Sequence, residues 1–126
     1  MIGILGGMGT QAGLDFSTKL AKLYRGKLDQ KYPLFVLYNK SNVPKRLSDK
    51  KVYKNVFKSL LDGCVFLQKN NCEFITIPCN TAHHWYDDLK RRINIPILSM
   101  PKEVFAFAKK IAPKVQRSAS LQQKVL

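Results

Sequence analysis

Four short apolar runs, separated by turn-forming and amphipathic stretches, restrict this chain to an alternating strand and helix architecture. Ile2 to Leu5 ends in Gly6-Gly7-Met8-Gly9, after which Thr10 can cap a helix with Phe16, Leu20, Leu23, Tyr24 and Leu28 at helical spacing. Leu34 to Tyr38 is continuously apolar after Pro33, the pattern of a strand buried on both faces of a parallel sheet. Asn39 to Ser48 has no period and reads as a loop. From Val52, the residues Tyr53, Phe57, Leu60, Leu61, Cys64 and Leu67 describe a second helix that ends near Asn70-Asn71. Phe74 to Ile77 is a third strand, which Pro78-Cys79-Asn80-Thr81 turns into a helix carrying Ala82, Trp85 and Leu89 on one face. Ile95 to Leu98 is a brief fourth strand. Pro101 then opens a last helix with Val104, Phe105, Ala108 and Ile111, which stops before Pro113.

The order βαβαβαβα predicts an α/β three-layer sandwich, a four-stranded parallel sheet with right-handed crossovers and helices on both faces. At 126 residues there is material for one such domain, read as residues 1–114. Residues 115–126 lack any acid or period and read as an atypical, flexible tail; Gln116 to Leu126 is expected to be the out-of-frame end of a gene for a longer protein. In folds of this kind ligands sit at the carboxyl ends of the strands. Three such ends carry unusual residues: Gly6 to Thr10, Asn39 to Arg46, and Cys79 to Thr81.

Several functions are disfavoured at this stage. No apolar run approaches the roughly 20 residues needed to cross a bilayer, and the glycine-rich N-terminus does not read as a signal peptide, so a cytoplasmic location and no membrane partner are expected. Three cysteines without a CxxC pair argue against a disulfide framework or a four-thiolate zinc site. The net charge of +14 suits nucleic acid, an anionic surface or a small anionic substrate. Twelve Lys or Arg lie between Lys19 and Lys58 against two acids, but they fall between helical apolar positions, as on a solvated face. Without an arginine-rich arm or stacked-aromatic motif, nucleic acid is not the expected partner.

The chemistry-bearing positions are few. Gly7-Met8-Gly9-Thr10-Gln11-Ala12 fits a loose dinucleotide pattern, but the acid expected at the end of the second strand is replaced by Asn39 and Lys40, which favours a carboxylate-binding glycine loop over a nucleotide site. Cys79 stands where a strand passes into a helix, an environment that stabilises a thiolate and makes it the candidate nucleophile or base. Cys64 and Cys72 read as small buried hydrophobes. His83 and His84 point about 100° apart on a helix and do not complete a metal site, so no metal is expected. One of them is a candidate partner of the Cys79 region, His84 and Asp88 could pair on the surface, and Trp85 reads as core.

Ile2-Gly3-Ile4-Leu5-Gly6-Gly7-Met8-Gly9 with Ala12 and Asp15, together with Ile77-Pro78-Cys79-Asn80-Thr81-Ala82-His83 and Trp85, resembles the N-terminal half of the cofactor-independent aspartate/glutamate racemase family, aspartate racemases in particular. The resemblance spans residues 1 to about 114. It implies a two-domain fold of which this is one half, with one cysteine from each half flanking the substrate Cα and no pyridoxal phosphate or other cofactor. Cys79 would be the first cysteine and catalytic. Asn80 and Thr81 would offer donors to an acidic amino acid, Met8 would wall the pocket and Arg46, in Asn42-Val43-Pro44-Lys45-Arg46, would anchor a carboxylate. Lys40, Ser41 and Leu47 depart from the family's pattern around that arginine. The second half and its cysteine are not in this sequence, so the chain alone is expected to be impaired, and a homodimer or a separately made second half is the expected partner. The alternative reading is a non-catalytic basic α/β module that binds RNA or another polyanion.

Overall fold

A computed structural model describes residues 1–46 and 49–112. Its elements are β1 (Ile2–Gly6), α1 (Thr10–Lys22), β2 (Phe35–Asn39), α2 (Lys50–Lys69), β3 (Phe74–Thr76), α3 (Tyr86–Arg92), β4 (Ile97–Leu98) and α4 (Met100–Ile111), with 3₁₀ turns at Asp29–Lys31 and Thr81–Trp85. The strands form one parallel sheet in the order β2-β1-β3-β4. The connection from β1 to β2 steps one way along the sheet and that from β2 to β3 steps back across β1, so right-handed crossovers put α1 and α2 on opposite faces. This is the expected α/β sandwich. Residues 115–126, expected to form the tail, lie outside the described residues.

The core sits mainly between the sheet and α2. Ile4, Leu5 and Ile75 of the two central strands are fully buried, as are Val56, Leu60, Cys64 and Leu67, which follow the helical period along one side of α2. Asp49 caps α2, its carboxylate accepting from the Lys51 N–H at 2.7 Å. Asn71 ends it in the left-handed region (φ 65°), with the Cys72 N–H donating to the Leu67 carbonyl and the Asn71 N–H to that of Gln68. Trp85 is buried as expected, its Nε1–H donating to the Tyr53 carbonyl at 3.1 Å.

Five local expectations are corrected. β2, expected to be buried on both faces, lies at one edge of the described sheet. Phe35 to Tyr38 are half-buried and Leu34 is 74% exposed, because the apolar run packs against helices while its outer rim stays open. Gly9, not Thr10, is the N-cap of α1, and no side chain caps it. The buried residues of α1 are Gly13 and Ser17, while Leu23 and Leu28 are exposed; a Cβ at Gly13 would stand 3.2 Å from Leu37 Cδ1 and 3.4 Å from Gly6 Cα, so close approach to the sheet selects small residues. The helix expected from Thr81 is split into a 3₁₀ turn and α3, and Asp88 pairs with Arg91 and Tyr53, not His84. No helix among the described residues is long and apolar enough to cross a membrane.

Candidate active site at the carboxyl edge of the sheet

Parallel pairing sends every strand exit to one edge. Gly6 stands opposite Asn39, Ile4 opposite Thr76, and Thr76 opposite Leu98, so the segments that follow them emerge side by side. Gly7 to Gly9 leaves β1, Lys40 to Arg46 leaves β2, Ile77 to Thr81 leaves β3 and Ser99 leaves β4. The glycine loop is locked to the β2 exit. Lys40 N–H donates to the Gly6 carbonyl at 3.0 Å, and Gly7, at φ 104°, lies so close that a Cβ there would fall 2.3 Å from the Lys40 carbonyl carbon. Lys40 Nζ in turn donates to Ser59 Oγ (2.8 Å) and Asn42 Oδ1 (3.0 Å).

Cys79 follows buried Ile77 and half-buried Pro78, in a tight turn whose Cys79 N–H donates to the Ile77 carbonyl at 2.8 Å. Its Sγ is 3.4 Å from Thr81 Oγ1, and Asn80 and Thr81 are exposed beside it. Below, Cys79 packs against the buried cluster that includes Met8, Val43 and Ala82. Met8 therefore lies under the edge with its side chain almost fully enclosed. A five-residue 3₁₀ turn, Thr81–Trp85, follows Cys79 in place of the continuous helix expected from the sequence.

Arg46 is on the adjacent exit. Its Nη1 makes a long bond of 3.5 Å to the Pro44 carbonyl, and its buried Nε has no hydrogen-bond partner among the described residues. The structure thus brings Cys79, Asn80 and Thr81 into one segment, and puts Met8 and Arg46 on neighbouring segments of the same edge without a polar contact to them. The sequence pattern leaves both histidines as candidates. The structure selects His83, whose ring meets the Cys79 carbonyl and the Met100 N–H, whereas His84 is exposed. The four-residue spacing from Cys79 to His83 was the available signal. Among the described residues no three His, Cys, Asp or Glu side chains gather to hold a metal ion.

The three sulfurs differ sharply in setting. Cys64 is fully enclosed in α2, and burial pushes its thiol from 9.0 up to about 12. Burial also raises Cys72, with the N-terminal ammonium lowering it slightly. Cys79 alone is partly exposed. A consequence follows for alkaline solution. Above pH ~9 the unfolded chain releases the Cys64 proton while the native chain retains it, so this contribution is intact below pH ~9 and is lost as pH rises towards 12. Urea melts should show about 2 kcal/mol of Cys64-dependent loss between pH ~8 and ~10.5, at roughly 1.36 kcal/mol per unit. The loss should be missing in Cys64→Ala; an identical alkaline slope in that variant would remove the cause assigned.

Comparison with known proteins agrees with this fold. The chain matches the Asp/Glu/hydantoin racemase family over residues 5–117. It is 34% identical over 108 residues to the broad specificity amino-acid racemase RacX of Bacillus subtilis, covering 82% of this chain and 47% of that protein. Among solved structures it is similar to an aspartate racemase homologue from Pyrococcus horikoshii, with a TM-score of 0.76 and 26% identity over 88% of this chain and 49% of that one. It is likewise similar to the Picrophilus torridus aspartate racemase, with a TM-score of 0.76 and 28% identity over 88% of this chain and 48% of that one. The chain spans about half the length of the curated relatives it matches. Nothing in these matches supports a polyanion-binding module.

Proposed function

We propose, from the premise that this chain belongs to the Asp/Glu/hydantoin racemase family, that its sheet edge supplies one side of a site that inverts the Cα of an acidic amino acid. The observation that carries the reading is the setting of Cys79: a partly exposed sulfur beside the Thr81 hydroxyl at the carboxyl edge, while the other two thiols are sealed. In the thiolate form, Cys79 takes the α-proton from one face of the substrate. The electron pair left on Cα is delocalised into the adjoining carboxylate, whose growing charge needs fixed donors more than any other group does. Asn80 and Thr81 supply donors beside the sulfur, and Arg46, whose Nε has no partner among the described residues, is the cation for a substrate carboxylate. Met8 closes the apolar wall beneath. No cofactor is required, because proton removal and return are both acid-base steps.

Inversion needs a second acid on the opposite face. Cys64 and Cys72 are enclosed in the core and do not provide it; a second racemase half or a second copy of this chain would supply it. The exposed side of α4 supports such an association: no residue of this helix is buried, and Val104, Phe107 and Ile111 are 61%, 63% and 66% exposed. By itself the chain is proposed to exchange the α-proton without inverting the centre. The test is proton NMR in D2O of L- and D-aspartate and L- and D-glutamate with the purified chain, alone and with the C-terminal half of the Bacillus relative. Loss of the α-proton signal from either amino acid is the expected result. No exchange under any of these conditions would dispose of the reading.

A further inference from the structure

Both ring nitrogens of His83 are engaged in a setting only 7% exposed. Nδ1 lies 2.8 Å from the Cys79 carbonyl oxygen, and Nε2 lies 3.1 Å from the Met100 backbone nitrogen. An amide N–H can only donate, so Nε2 accepts, and the ring proton resides on Nδ1 and is donated to the Cys79 carbonyl. The partners therefore assign a neutral imidazole in the Nδ1–H tautomer. Tyr86 stacks on the ring at 6.2 Å, with Lys102 Nζ 5.4 Å and Lys90 Nζ 5.9 Å from the Tyr86 ring centre.

The two backbone groups so joined lie beyond the sheet ladder. Pairing of β3 with β4 ends at Thr76 and Leu98, leaving Cys79 and Met100 without strand hydrogen bonds to each other's segments. One imidazole bridges the gap. The carbonyl it holds shares a peptide plane with Asn80, so fixing that plane fixes the backbone from which Cys79 Sγ projects towards Thr81 Oγ1.

We propose that His83 is a positioning residue: its Nδ1–H aims Cys79 through the Cys79 carbonyl, while its Nε2 separately ties down the start of α4. This rests on the reading of Cys79 as the α-proton base. The competing view is a core histidine whose hydrogen bonds contribute only stability, and three variants separate the two. Asn at this position can replace the Nδ1–H donor, Gln can replace the Nε2 acceptor, and Ala replaces neither.

The expected result is that His83→Ala and His83→Gln lower kcat for α-proton exchange by about 10- to 100-fold with KM little changed, while His83→Asn recovers most of the rate. Protection of the Met100 amide against hydrogen exchange should be lost in His83→Ala and His83→Asn and kept in His83→Gln. Rates that follow Tm across all three variants, whichever nitrogen is replaced, would overturn the proposal. So would an unchanged Met100 amide in His83→Ala. If the unsubstituted chain exchanges no α-proton, the preceding reading fails by itself, and the positioning role is then decided by iodoacetamide alkylation of Cys79. His83→Asn should match the unsubstituted chain while His83→Ala and His83→Gln depart from it together; equal rates in all four proteins would refute the role.

Discussion

Cys79→Ser should lower α-deuterium exchange into aspartate or glutamate by about 10²- to 10⁴-fold, the range that a positioned general base contributes. The substitution keeps shape and removes ionisation, since an alcohol hydroxyl holds its proton far above the pH at which an ordinary thiol gives it up. Stability should barely change. The side chain is partly exposed, and the contact with Thr81 Oγ1 at 3.4 Å can persist as an O–H···O bond. KM should also move little, because Asn80, Thr81 and Arg46 are untouched. Cys64→Ala, far inside α2, serves as the control that should leave exchange intact. Exchange that survives Cys79→Ser at the unsubstituted rate would strip this sulfur of its role.

The second large effect is on folding. Gly7→Ala should destabilise the chain by about 2–6 kcal/mol, a large share of the roughly 5–15 kcal/mol available to a typical domain. Two costs combine. Position 7 has φ 104°, where an L side chain is strained by about 1–3 kcal/mol. The added Cβ would also lie 2.3, 2.4 and 2.7 Å from the carbonyl carbon, oxygen and nitrogen of Lys40, an overlap worth about 1–3 kcal/mol even after adjustment. Relief is hard to find. The clash is with backbone, and that backbone is fixed by the Lys40 N–H bonds to the Gly6 and Tyr38 carbonyls. A urea midpoint equal to that of the unsubstituted chain would mean that this close approach is not a constraint. Gly9→Ala is the comparison, because a Cβ there meets nothing within 4 Å.

How far the sequence predicts this structure depends on the range of the interaction concerned. The alternation of strands and helices was readable because each element carries its own period, and the position of Asn71 at the end of α2 because the turn is local. The edge position of β2 was not. A continuous apolar run such as Leu34 to Tyr38 shows that two faces are covered by helices, but the missing lateral neighbour depends on strand order, which no local pattern encodes. The small buried face of α1 was hidden for a similar reason: Gly13 and Ser17 are selected by proximity to Gly6 and Leu37, and the apolar residues around them point partly outward. At the candidate site, Cys79, Asn80 and Thr81 were visible as a contiguous string after a strand. The spacing of four from Cys79 points to His83 over His84, but the second partner of its ring, the Met100 amide 17 residues beyond, is a backbone group that any residue could provide and no local pattern marks.

The open rim of β2 has a bearing on handling this protein. Among the described residues β2 is a half-buried apolar strand with one free row of amides and carbonyls, a template onto which another chain's strand can be added, and so a seed for fibrous growth in concentrated or partly unfolded samples. Mutual repulsion between molecules carrying +14 charges opposes that growth in dilute buffer. Added salt or a polyanion weakens the repulsion, so crowded, high-ionic-strength storage should promote clumping.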